Sequence, residues 1–177
     1  MLEVSNLTKK KICRRSLKRI AEAFLEKYKT TEAEISLVLI GDQRSRTLNK
    51  KYRQKDYATD VLSFSNPDFK TGKDNFLGEI FINLNEVSRL KKYREMFLEL
   101  EGIRKDKKFE EQKLAKRIRE FSSLKLSKTA RLAQEKYLLH FIFIHGLLHL
   151  IGLDDKREAE RLEMLKLGFN FLANLEK

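Results

Sequence analysis

His145-Gly146-Leu147-Leu148-His149 sets two imidazoles four residues apart, and Leu150-Ile151-Gly152-Leu153-Asp154-Asp155 continues with a glycine and two carboxylates. Residues i and i+4 share a helix face, with Cβ atoms about 5–6 Å apart, so both rings can reach one divalent ion. A buried imidazole pair without an ion would need two sets of hydrogen-bond partners inside an apolar helix. Gly152 suits the position just past a helix end and lets the chain turn back, which makes Asp154 and Asp155 the nearest candidates for a third ligand. Two imidazoles, a carboxylate and an open position suit Zn2+, and also Fe2+ or Mn2+. Such an ion lowers the pKa of its water to about 7, which is the chemistry of hydrolysis at neutral pH.

Three neighbouring residues narrow this chemistry. A His-Glu-x-x-His protease carries its general base directly after the first histidine, where this chain has Gly146, so peptide hydrolysis by that route lacks its base. His140 is the only other histidine; on a helix it lies about 140° from His145 and about 180° from His149, so it faces away. Asp155 has a competing use, because Asp155-Lys156-Arg157-Glu158 matches a capping box that would spend its carboxylate on the following helix. Spacing leaves the division of labour between Asp154 and Asp155 open.

The elements that must hold these groups follow from periodicity. Leu2–Ser5 suits a short edge strand, and 9–29 an amphipathic helix through Ile12, Leu17, Ile20, Phe24 and Leu25, with a basic outer face. Glu34–Gly41 predicts a buried strand, Asp42 an N-cap for a helix to about Tyr52, and Thr59–Phe64 and Leu77–Leu84 two more strands, with Pro67 and Gly72 in the loop between. Asn85 suits the cap of a helical stretch carrying Val87, Leu90, Tyr93, Phe97 and Leu100. Ser127 suits the cap of a long helix to about Ile151 whose second half is almost wholly apolar, hence a buried central helix carrying the histidine pair. A last helix runs from about Lys156 to Leu172.

At 177 residues the chain reads as one domain with a core that needs no disulfides. A single cysteine, Cys13, excludes an internal disulfide framework and fits a reducing, cytoplasmic setting; no apolar run spans a bilayer, and the acidic N-terminus does not resemble a secretory signal. Lysine and arginine number 38 against 26 acids, a net charge of +12, and a field of that sign concentrates polyanions, of which nucleic acid is the commonest. Much of the excess lies between Arg89 and Arg131, which reads either as a solvated helical hairpin or as an RNA-facing arm.

With these residues assembled, the chain resembles the YbeY family of metal-dependent endoribonucleases implicated in ribosomal RNA maturation. The family pattern His-Gly-x-Leu-His-Leu-x-Gly-Tyr-Asp-His is matched by His145, Gly146, Leu148, His149, Leu150, Gly152 and Asp154. Upstream blocks match at Leu48–Arg53, Lys55–Phe64 and Leu77-Gly78-Glu79-Ile80, in the family's order. Two positions depart from the pattern: the third histidine falls on Asp155 and the tyrosine on Leu153.

The resemblance implies an α+β fold, with a small mixed sheet packed against helices and a metal at the base of a positively charged cleft. It implies a single domain over 1–177, enlarged by a basic helical connection at about 92–130. It further implies one Zn2+ held by His145, His149 and Asp155, with Arg53 as the functional arginine that grips phosphate. The expected partners are single-stranded ribosomal RNA and the ribosome or its small subunit, in the cytoplasm and away from membranes. Two rivals accompany this reading: a zinc-dependent hydrolase of another substrate, and a non-catalytic ribosome-associated metalloprotein that binds RNA. Asp60, beside a strand, is expected either to orient a histidine or to cap a turn.

Overall fold

A computed structural model of the chain describes residues 1–89, Tyr93 and 128–175. Among them are four strands, β1 (Leu2–Asn6), β2 (Glu34–Ile40), β3 (Val61–Ser65) and β4 (Phe76–Asn83), joined in one sheet of order β1-β2-β4-β3. β1, β2 and β4 are parallel and β3 is antiparallel to β4, so the sheet is mixed and β1 is an edge. Parallel neighbours need crossovers. The helix α1 (Arg14–Lys27) joins β1 to β2, while α2 (Asp42–Arg53), β3 and the short α3 (Pro67–Lys70) lie between β2 and β4. The described helices then continue with α4 (Leu84–Val87), α5 (Lys128–Leu150) and α6 (Glu158–Leu175). This is the α+β arrangement expected from the sequence.

The segment Ile35–Ile40, apolar except at Ser36, has paired neighbours on both edges, and Ile35, Leu37, Val38, Leu39 and Ile40 are all buried, as a largely apolar central strand requires. α5 packs on β3 and β4 and also meets α1, α4 and α6. Its apolar second half is the centre of the core: Leu138, Phe143, Ile144 and Leu147 are wholly buried. Gly146 permits this seating, because a Cβ there would lie 2.9 Å from Ile80 Cγ2 and 3.2 Å from Ser63 Oγ. Gly78 is constrained further, with φ +149° and a would-be Cβ 2.3 Å from the Phe64 carbonyl oxygen and 2.9 Å from Leu150 Cδ2. The glycines at 78 and 146 therefore bring the end of α5 down onto the β3–β4 hairpin.

Element ends differ from the periodicity where local hydrogen bonds compete. α1 starts at Arg14 and not at Lys9, since Asn6 Oδ1 accepts from Thr8 N–H and Thr8 Oγ1 from Lys10 N–H, holding a turn instead of a helix. Asp42 is the first residue of α2, whose cap is Gly41; its carboxylate accepts from Asn83, Asn85 and Arg89. Asn83, not Asn85, caps α4 by accepting from Asn85 N–H. The loop holding Pro67 contains α3, started by Asn66 as cap and Pro67 in the first turn. The basic connection at 92–130, apart from Tyr93 and the first turn of α5, and the cap at Ser127 lie outside the described residues. Among the described residues no helix is long and apolar enough to cross a membrane.

Candidate metal centre

The last two turns of α5 carry His145 and His149 on one face, with ring centroids 4.7 Å apart and planes at 85°. The helix ends in a double hydrogen-bonded reversal: Gly152 N–H donates to the His149 carbonyl and Leu153 N–H to that of Leu148, with Gly152 at φ +98°. Glycine takes that conformation freely. The reversal aims the Leu153 carbonyl back at the helix, where it accepts from His149 Nδ1 at 2.9 Å. His149 therefore carries its neutral-state proton on Nδ1 and presents a bare Nε2. No side chain marks this orienting partner; a backbone carbonyl serves, which is why leucine at 153 performs it as well as any residue.

The same reversal brings Asp155 over the helix end. Asp155 Oδ2 lies 3.3 Å from His145 Nε2 and 3.9 Å from His149 Nε2, and the two Nε2 atoms are 3.2 Å apart. Asp154 turns outward to Lys156 Nζ at 2.6 Å and accepts Asp155 N–H. The capping box expected at Asp155 is not formed. α6 starts later, at Glu158, and Glu160 reaches back to the N–H of Arg157, which frees Asp155. Among the described residues, His145, His149 and Asp155 form the only cluster of three such groups, with ligand atoms within 4.8 Å of one another.

The donor set fits a small divalent ion. Tetrahedral ligands at about 2.0–2.1 Å from zinc stand about 3.3 Å from each other, close to the separations found. The electrostatics agree: burial and then His145 push the His149 pKa down, toward the neutral form that ligates. The hydrogen bond from His145 holds the Asp155 carboxyl below its usual range, keeping it anionic despite burial. His145 Nδ1 is buried with no hydrogen-bond partner, so Nε2 is its only engaged nitrogen.

The cluster lies in a cleft of about 460 Å3. Arg53 at the C-terminal end of α2, Lys55 in the following loop, and Lys156 and Arg161 around the start of α6 line it. Arg53 is exposed and makes no ion pair or hydrogen bond among the described residues. Asp60 also faces the cleft, but its carboxylate accepts from Thr59 Oγ1, Val61 N–H and the buried Tyr93 hydroxyl, and it bonds to neither histidine ring. His140 is turned to α1, 2.9 Å from Ser16 Oγ, as its helical angle predicted. Periodicity did not single out Lys55, Tyr57, Lys156 or Arg161 as cleft residues, because charged and aromatic surface positions carry no signal of where the chain folds them.

Comparison with known proteins gives this arrangement its relatives. A protein from Anaeromyxobacter sp. strain Fw109-5 is 32% identical over 154 residues, covering 86% of this chain and 59% of that protein. One from Thermodesulfovibrio yellowstonii is 32% identical over 80% of this chain and 67% of its own, and one from Neorickettsia sennetsu 31% over 85% and 76%. Each is named an endoribonuclease YbeY. The chain thus spans 59% of the length of the first of these, and 38% of a further relative from Anaeromyxobacter dehalogenans. A solution structure of a Thermotoga maritima protein shares the fold at 21% identity, with a TM-score of 0.50 over 98% of this chain and 90% of that one. The family model for endoribonuclease YbeY matches residues 3–101 and 121–176, which take in the sheet, the Arg53 block, the histidine helix and the reversal that delivers Asp155. This chain belongs to the endoribonuclease YbeY family.

Proposed function

We propose that the protein is a metal-dependent endoribonuclease that cuts single-stranded RNA during ribosomal RNA maturation. The observation that carries this is the convergence of His145 Nε2, His149 Nε2 and Asp155 Oδ2 in a cleft also lined by Arg53, Lys55, Lys156 and Arg161, in a chain of a family named for endoribonuclease activity. His145, His149 and Asp155 hold the ion, for which Zn2+ fits the two-nitrogen, one-oxygen donor set. The ion supplies Lewis acidity toward a phosphodiester.

The chain's own residues supply binding and orientation. Arg53 presents a planar fork of donors to the scissile phosphate and opposes charge developing on its oxygens. Lys55 and Arg161 extend the positive field along the strand backbone. The Leu153 carbonyl keeps His149 in its ligating tautomer. A peptide-hydrolase reading has no such support, since position 146 is packed against Ile80 and has no room for a glutamate base.

Residues 1–177 act on this reading as one domain: a single buried cluster runs from Leu2 to Leu172. The family model skips residues 102–120, which supports an enlarged basic connection at about 92–130. A precursor of ribosomal RNA as substrate sets the work in the cytoplasm, at the ribosome or its small subunit. The test is cleavage of a single-stranded ribosomal RNA fragment by metal-loaded and chelator-stripped protein in matched nuclease-free preparations. Cleavage that needs the ion and disappears in Arg53→Ala supports the proposal; equal cleavage in both overturns it.

A further inference from the structure

Tyr57 is the least expected side chain of the cleft. The residue is 55% exposed in the cleft that Arg53 and Lys55 also line. Among the described residues the ring stacks on no other aromatic and the hydroxyl has no hydrogen-bond partner. Tyr52, exposed to the same degree, is different: its ring meets Phe64 edge-on at 4.9 Å and lies under Lys51 Nζ.

The backbone that presents Tyr57 is tightly held. Asn49, buried in α2, donates to the Tyr57 carbonyl at 2.9 Å and accepts Lys55 N–H on its own carbonyl. Ser45, also buried, donates to the Thr59 carbonyl and accepts Thr59 N–H. Asp56 is bound by Arg46 at 2.7 Å and Lys50 at 3.1 Å, which holds its carboxyl at a pKa of about 2. Two buried polar side chains and a bifurcated ion pair thus fix a loop whose product is an aromatic face left open to water. Such a face beside cations that track a phosphate backbone has the composition of a stacking platform for an unpaired base.

We propose that Tyr57 forms a base-stacking subsite for the nucleotide beside the scissile phosphate, and that it favours single-stranded over duplex RNA. The proposal rests on the nuclease reading, and it explains the strand preference physically. A base within a duplex has both faces covered, so only an unpaired base can use the ring, whereas Arg53 and Lys55 accept phosphate from either form.

Short 2′-O-methyl oligoadenylate, an abasic strand of equal charge, and a duplex serve as probes, each checked intact after equilibration. Tyr57→Leu retains apolar bulk but loses the ring; Tyr57→Phe restores it. Binding of oligoadenylate should weaken about ten-fold in Tyr57→Leu and recover in Tyr57→Phe, with abasic and duplex binding unchanged. The chain has no tryptophan, so Tyr57→Trp is a single reporter whose emission should be quenched by oligoadenylate and not by the abasic strand. Unaltered oligoadenylate binding in Tyr57→Leu, or an equal loss for the abasic strand, overturns the subsite while leaving the nuclease reading intact. Wild-type protein that binds neither single strand overturns both.

Discussion

Two faces of α5 carry the chain's three histidines, and they show how little residue type alone decides. On one face His140 meets the Ser16 hydroxyl, Oγ at 2.9 Å, beside a cavity of about 200 Å3 that Cys13 and Lys136 also line. Within the described residues that face gathers no carboxylate pair and no second imidazole at ligating distance. On the other face His145 and His149 point their Nε2 atoms at each other and at Asp155, and a backbone carbonyl sets the tautomer of one of them. A histidine given a hydroxyl is a satisfied polar residue in a core. Histidines whose Nε2 atoms converge beside a carboxylate form a group that could hold a cation. What separates the two faces is the glycine-terminated reversal after α5, which adds Asp155 and the Leu153 carbonyl to one face only.

The sharpest way to break the comparison is to remove one histidine from each face. His149→Ala should lose bound metal and reduce RNA cleavage by more than about 100-fold, whereas His140→Ala should retain both; elemental analysis and a cleavage assay read the outcome. If His149→Ala keeps full metal occupancy, the two faces do not differ in this way. The neighbouring acids come next. Asp155→Ala should lower metal affinity by about 10- to 100-fold while Asp154→Ala retains the metal, because only the former turns inward. Equal loss in both would place the reversal, not the Asp155 carboxylate, at the heart of the site.

Packing offers a gentler test. Gly146→Ala puts a methyl group 2.9 Å from Ile80 Cγ2, so urea unfolding should show a loss of about 1–3 kcal/mol as α5 lifts from the sheet. Ser16→Ala, against the opposite face, removes the hydroxyl's bonds to the Cys13 carbonyl and to His140 and should cost about 1–2 kcal/mol with metal content unchanged. The smallest expected effect is a pH dependence of the metal-free protein. The His149 and Asp155 pKa values both lie below their unfolded values, so the folded state binds fewer protons than the unfolded one. Their contribution is complete above about pH 6.5. It falls as His149 and then, below about pH 4, Asp155 protonate. A metal-free thermal midpoint that rises on acidification through this range would contradict the geometry around Asp155.

The fold was largely readable from periodicity because its elements carry strong patterns. Ile35–Ile40 is apolar except at Ser36 and lies between two paired strands; the second half of α5 is almost wholly apolar and lies in the core. Reading failed at element ends, where Asn6, Thr8 and Asn83 bond to nearby backbone, because these competing local bonds are not periodic. In the site, the histidine pair and the role of Gly152 were legible from spacing. Arg53 was legible only through family resemblance, since an arginine at a helix end is otherwise an ordinary surface residue. Tyr57 falls within the matched block Lys55–Phe64, but its open face was not legible: it depends on Asn49 and Ser45 holding the loop through bonds that span eight and fourteen residues of sequence.

By itself the sequence determined which groups could do chemistry: two imidazoles one turn apart, a glycine to stop the helix, two acids after it, and a surplus of 12 positive charges. Helical periodicity is a local property of the backbone, so the separation of His145, His149 and His140 around α5 needed no tertiary information. Only the tertiary structure sets Asp155, and not Asp154, beside the two histidines. The two are chemically identical neighbours, and their difference arises from the path of the chain after Gly152, from the late start of α6, and from the Lys156 ammonium that draws Asp154 outward. The same holds for the cleft. Its cations come from α2, the following loop and the start of α6, and they line one cleft only because the sheet and α5 pack as they do.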